Sequence, residues 1–360
     1  DNNAFTNNDI TNYYDVVPKE NLEIALWLES DRMLKLDINE DALDVQRKVV
    51  LEEFKETCLN KPYGDVWHHL SALVYQKHPY RWPTIGIVPK HIEDASMQDV
   101  QAFYKKYYAP NNAIAVVAGN VTEIQVRHLA EKWFSNIPAG EVSNRQLPVE
   151  PKQTKSRRLE VRADVPIDAI YMAFRMPDRL HSDYYTIDLI SDVLCSGSSS
   201  RLYRRLVREQ ELFSFIDCYI TGTIDAGLLI VEGKPSSGVS LEQAEQAIWE
   251  QLEALKNTPI ANQELQKIKN KVESNLIFAE SSVLNKAINL AFFEVVGDLA
   301  RINDEVEYYR KIEANDIQRL AQQILASNNC SILHYKSKAK DMTAMHDVKP
   351  EDEVEYSSIA

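Results

Sequence analysis

Apolar positions recur along this chain in two periods, one near two residues and one near three and a half. Residues 3–17, NAFTNNDITNYYDVV, read as a strand, a short polar turn and a second strand. From Pro18 and Glu20 the period lengthens, and Leu22, Ala25, Leu26, Leu28 and Met33 mark the core side of a helix through Leu34. Leu43, Val50, Phe54 and Cys58 then share one face of a helix over 41–56. Asn39 caps that helix, Glu40 and Asp41 occupy its first turn, and Asn60-Lys61-Pro62 ends it. A helix over 65–75 leads into the loop HPYRWPTIGIVP (78–89), whose aromatics read as packing the loop onto the domain. Ser96 caps a helix to Tyr108, residues 113–118 read as a buried strand ended by Gly119-Asn120, and Thr122 caps a helix to Phe134.

Residues 138–157 are mostly polar, with Gly140 and three prolines, and read as a linker. Beyond it the pattern gives strands over 158–164 and 168–175 and a helix over 183–195. A Ser/Gly turn (196–199) leads into a basic helix, 200–210, where Arg201, Arg204, Arg205 and Arg208 line one side as a solvated or partner-facing row. Strands follow at 213–223 and 227–233, helices near 240–256, 261–280, 282–297 and 314–326, and a strand at 330–336. The acidic end of the chain, residues 339–360, reads as a loosely held tail.

Two windows of this pattern match. Asp99, Gln101, Ala109, Asn111 and Asn112 pair without a gap with Asp316, Gln318, Ala326, Asn328 and Asn329, 217 positions on. Both windows read helix, Asn-Asn turn, buried strand, which points to a duplicated unit. Asp316 lies 158 residues into a second half that starts near Arg158, and Asp99 lies 98 residues into the first. Equal halves would therefore place about 60 further residues before Asp1.

Composition narrows the class. The 360 residues are 44% hydrophobic and 26% charged, as in a globular protein with room for two cores. A net charge of −14 argues against nucleic acid as a partner. No apolar run reaches the length of a membrane span. Cys58, Cys195, Cys218 and Cys330 stand far apart without a CxxC pair and read as free thiols.

The residue with chemical content is Glu53. It follows Val49 by four positions and Val50 by three, so its carboxylate projects near the apolar face, whereas Glu52 points about 100° away. A carboxylate there wants a cation, either a metal or a nearby Lys or Arg. His68, His69, His78, His91 and His181 carry no metal-ligand spacing and read as structural or exposed.

In order along the chain, NAFTNNDITNYY, ALWLESDRM (25–33), QRKVVLEEF (46–54), HPYRWPTIGIVPKHIEDAS (78–96) and YYAPNNAIAVVAGNV (107–121) together resemble the insulinase/pitrilysin family of zinc peptidases. SGSSSRLYRRLVREQELFSF (196–215) is similar to that family's second-domain Gly/Ser loop and helix. The resemblance implies an α+β fold of two homologous α/β-sandwich domains, each an antiparallel sheet with helices packed on one face. Residues 1–140 would be the first, truncated at its N-terminus, 141–157 the linker, 158–338 the second and 339–360 the tail. It implies a Zn2+ endopeptidase with Glu53 as third zinc ligand, beside two histidines of a His-x-x-Glu-His motif whose Glu is the general base. That motif does not occur in these residues and would lie upstream of Asp1, so the chain as given would be inactive. Peptide substrate would add as a strand along Asn3-Ala4-Phe5-Thr6.

Three positions depart from the family pattern. Gln46 stands where a second glutamate is common. Val207 and Ser214 stand where single-chain members carry an Arg and a Tyr that contact the reacting carbonyl. The resemblance therefore implies a homo- or heterodimer in which a partner subunit supplies Arg and Tyr, enclosing peptides in a chamber in the periplasm or outside the cell, with the cytoplasm as alternative. The departures are equally compatible with a non-catalytic scaffold or partner subunit.

Overall fold

The computed structural model describes residues 1–36, 39–141 and 146–338, so the expected tail, 339–360, lies outside the described residues. The chain opens on a two-stranded antiparallel ribbon, β1 (Asn2–Thr6) and β2 (Thr11–Asp15), in which Phe5 faces Asn12 and Thr6 faces Thr11. Asn7 ties the turn by accepting the Asp9 and Ile10 backbone amides, both at 2.9 Å. Helices α1 (Leu22–Leu34), α2 (Glu40–Phe54), α3 (Val66–Val74), α4 (Pro89–Glu93), α5 (Met97–Tyr107) and α6 (Glu123–Phe134) follow.

The caps fall where side-chain oxygens can take orphan amides. Asn39 accepts from Ala42 N at 2.9 Å, Thr122 accepts from Gln125 N, and Ser96 with Asp99 forms a reciprocal capping box. The apolar face of α2 is as expected, with Phe54 and Cys58 buried and Leu43 and Val50 half-buried. On α1, Leu28 turns out exposed, and Ser30 is buried in its stead, its hydroxyl bonded to Trp27 O at 2.7 Å.

The second half is built on a five-stranded mixed sheet of β3 (Arg157–Ala163), β4 (Ala169–Arg175), β5 (Phe213–Ile220), β6 (Leu228–Pro235) and β7 (Cys330–Ser337), in the order β3-β7-β4-β6-β5. Only β3–β7 runs parallel. One face carries the main core, where Ile170, Met172, Phe174, Leu229 and Val231 pack against α7 (Tyr184–Cys195), α8 (Leu241–Asn257), α9 (Asn262–Ala279) and α12 (Ala314–Ile324). Two further helices, α10 (Val283–Val296) and α11 (Arg301–Arg310), complete the chain, and the second lies in a stretch the apolar pattern left unassigned. The expected basic helix takes wider π turns over Tyr203–Glu209.

The other face of this sheet is covered by α3 of the first half. Val66, Leu70 and Val74 meet Tyr171, Ile230 and Leu333 there, and the Tyr335 hydroxyl reaches Asp65 at 2.6 Å. Coverage on both faces is why β4 reads AIYMAF, a continuous apolar run rather than an alternation.

The 217-position shift also relates elements of the fold. Shifted by the same 217 positions, Met97–Tyr107 falls on Ala314–Ile324 and Pro110–Asn112 on Ser327–Asn329, while Val66, which opens α3, falls on Val283, which opens α10. Val283 lies within 4.0 Å of a β-carbon built on Gly119, so α10 approaches the first half as α3 approaches the second.

One expectation is corrected. Residues 113–118 form no strand, and Ile114 is 42% exposed. Their counterpart, β7, is a buried strand because β3 and β4 flank it. A ladder needs a neighbour, and among the described residues none lies beside 113–118. Val117 still packs with Leu22, Leu26 and Leu129 in a small core.

Candidate functional site

Glu53 is the penultimate residue of α2 and is exposed, while its neighbour Phe54 is buried. The Phe54 ring meets His68 of α3 edge-on, 5.6 Å between centroids, which fixes the rotation of α2 about its axis. Directly after Phe54 the helix widens into a π turn over Lys55–Leu59, with Thr57 Oγ1 donating to Glu53 O at 2.7 Å. Single π turns in this setting recur at functional sites. Gly64 permits the closure, since a β-carbon there would stand 2.2 Å from Thr57 O.

Of the two cations that sequence left open for Glu53, the protein supplies neither a lysine nor an arginine among the described residues: Lys55 pairs with Glu52 at 2.6 Å, and Arg47 with Asp44. Glu53 is not buried on the apolar face. Its position beyond Val50 turns it to the rim, where water solvates it. The described residues contain no group of three His, Cys, Asp or Glu able to hold a metal, so on their own they do not fit a zinc ion. The histidines are engaged elsewhere: His68 Nε2 meets Gly86 O at 3.0 Å, and His69 Nε2 meets Asp65 Oδ2 at 3.1 Å.

Asn3, Ala4, Phe5 and Thr6 form β1, all of it exposed. Among the described residues β1 pairs with β2 alone, which leaves its outer edge open to a further strand. The ribbon is held from behind: the Arg32 guanidinium lies 4.4 Å from the Tyr13 ring centre, and the Tyr13 and Tyr108 hydroxyls are 2.8 Å apart. Val207 packs against the main core, and Ser214 donates to Lys234 O at 3.1 Å. In the arginine row, Arg201 forks onto Glu264 at 2.9 and 3.0 Å, and Arg204 and Arg205 share Glu209, so four arginines meet two carboxylates and the row stays basic.

A partly buried polar network joins the halves, and residue patterns gave no sign of it. Asp9, in the β1–β2 turn, accepts from Tyr80 OH at 2.5 Å and from Ile224 N, in the β5–β6 turn, at 3.0 Å. Asp225 N donates to Tyr80 OH at 3.1 Å. Tyr80 N donates to His78 Nδ1 at 3.2 Å, so the ring proton sits on Nε2, which faces Asp225 Oδ2 at 3.2 Å. Glu150 accepts the backbone amides of Gln76, Lys77 and His78 at 2.8, 2.7 and 2.9 Å, with Arg175 at 3.6 Å. Burial alone would raise the Glu150 carboxyl, but the three amides outweigh it and hold it below the usual range. The expected linker thus has a fixed anchor at its end. Its polar composition concealed this because the partners are backbone amides of a loop 72 to 74 positions away.

Comparison with known proteins agrees with this architecture. Residues 94–272 match the family described as peptidase M16 inactive domain. The chain is 27% identical over 339 residues to the zinc protease PqqE of Helicobacter pylori, covering 93% of this chain and 76% of that protein. An uncharacterized zinc protease of Bacillus subtilis, YmxG, is 23% identical over 328 residues, covering 91% and 78%. The crystal structure of a protease from Helicobacter pylori superposes with a TM-score of 0.87 at 28% identity, over 93% of this chain and 82% of that one. The family, the zinc proteases similar to the chain, and its helix-backed sheet all agree with the residue pattern: this chain belongs to the M16, or insulinase, family of zinc peptidases and carries that family's inactive domain.

Proposed function

We propose that this chain is the zinc-bearing subunit of a two-subunit endopeptidase that hydrolyses peptides in an enclosed chamber. The observation that carries the reading is Glu53, an exposed carboxylate beside a π turn, with no Lys or Arg partner among the described residues, in a chain similar to zinc proteases. Glu53 contributes one zinc ligand. The two histidines and the general-base glutamate come from a His-x-x-Glu-His helix outside these 360 residues. Asn3, Ala4, Phe5 and Thr6 bind the peptide by main-chain hydrogen bonds along the open edge of β1.

The reading takes residues 1–140 and 158–338 as homologous domains joined by 141–157. A partner subunit, a second copy or a relative, supplies the Arg and Tyr for which Val207 and Ser214 stand here. The assembly works in the periplasm. A second reading, a non-catalytic scaffold subunit, is favoured by the match of residues 94–272 to an inactive domain.

Metal content of the protein isolated from its source, measured by mass spectrometry, separates the two. The first reading expects about one zinc per chain, lost in Glu53→Gln, with the metal-free forms of wild type and variant sharing one thermal midpoint, since the residue is exposed. A wild-type protein without zinc establishes the scaffold reading.

A further inference from the structure

The turns of the two ribbons, Asn7–Ile10 before β2 and residues 224–227 before β6, correspond under the 217-position shift and touch each other in the fold. Their contact is made by side chains rather than by a ladder. Asp9 takes the Ile224 amide with one oxygen and the Tyr80 hydroxyl with the other, and the same hydroxyl receives the Asp225 amide. Tyr80 is 4% exposed and His78 5%, and Tyr75 OH adds a bond to Ala226 O at 3.0 Å. Every polar atom named here has a partner, and hydrogen bonds to an ionised, half-buried carboxylate are charge-assisted and stronger than neutral ones. The turn that orients β1 is therefore fastened to the second half, while β1 itself is exposed along its length.

We infer that Asp9 and Tyr80 are positioning residues that hold the peptide-accepting strand β1 at a fixed angle to the second half. This rests on the reading of β1 as the peptide-binding edge. Neither residue touches the peptide. Their role is to keep the β1 edge pre-ordered, so that an incoming strand meets a straight row of donors and acceptors and does not have to order the ribbon itself. Losing the brace then weakens peptide binding and leaves the reacting step untouched.

The test is Tyr80→Phe, which removes one hydroxyl and keeps the ring, with Asp9→Asn as the second variant, both in the metal-loaded protein from its natural source. Amide exchange in residues 2–6 and 11–15 is expected to speed up about tenfold, the equivalent of one hydrogen bond to a charged group, with residues 330–337 unchanged. KM for a short unstructured peptide is expected to rise about tenfold with kcat unchanged. Unchanged exchange in the ribbon, or a fall in kcat with KM constant, overturns the inference. Wild-type protein with a slowly cleaved peptide isolates the underlying reading. If residues 2–6 gain no protection, edge binding fails, and the positioning role fails with it even where Tyr80→Phe loosens the ribbon.

Discussion

The Tyr309 hydroxyl donates to Asp188 Oδ2 at 2.5 Å, joining α11 to α7 beneath the stacked rings of Tyr185 and Tyr308. Burial pushes the Asp188 carboxyl up to about 6, against the opposing pull of the Tyr309 hydrogen bond. Arg179 beside this pair is committed to Glu305. A carboxyl raised in the folded state favours folding when protonated, so its contribution is full below about pH 4 and is lost as pH rises through 6. Asp188→Asn, which keeps an acceptor for Tyr309, should remove that slope and raise stability at pH 7 by on the order of 2 kcal/mol. Denaturant unfolding from pH 4 to 8 checks this.

Glu245 has the opposite sign. It sits on α8 and accepts a fork from Arg158 of β3 at 2.5 and 2.8 Å and a bond from His334 of β7 at 2.9 Å. Burial would raise its carboxyl, but His334 and Arg158 outweigh burial and bring it down to about 2. Its stabilisation is present above about pH 4.5 and disappears as pH falls toward 2. Glu245→Gln should cost on the order of 1–2 kcal/mol at pH 7, because His334 and the half-solvated Arg158 lose their shared carboxylate. Hydrogen exchange should show β3, the parallel edge strand, fraying first.

Glu150→Ala leaves the amides of Gln76, Lys77 and His78 without their acceptor and Arg175 without its nearby charge. A cost of about 3 kcal/mol is expected. Protease sensitivity should appear in the loop 76–82, while the main core of the second half keeps its exchange protection.

Leu70 is 1% exposed, on the face of α3 that covers the second sheet. Leu70→Ala should cost about 3 kcal/mol, the usual cost of a cavity at a site that cannot collapse. Because α3 belongs to the first half, the loss should broaden the unfolding transition as the halves begin to melt separately. Calorimetry reads this directly.

The sequence by itself determined what depends on near neighbours. Caps at Asn39, Ser96 and Thr122, the ribbon of β1 and β2, and most helix limits follow from bonds made within a few residues, and such bonds leave a period or a cap in the string. The match of two windows 217 positions apart was legible too, because a fixed shift preserves residue identity. The zinc-peptidase family could be read from motifs in order. Tertiary structure decided what depends on distant partners. The continuous apolar run of 113–118 says buried strand, yet a strand exists only where another lies beside it, so this stretch and β7 differ although their windows match. Glu53 reads as close to an apolar face but lies on its exposed rim, because Phe54 on His68 sets the helix rotation. The network of Asp9, Tyr80 and Glu150 closes over separations of 71 to 215 positions. No local pattern encodes such pairs, since each partner is an ordinary polar residue or a backbone amide until the two halves meet.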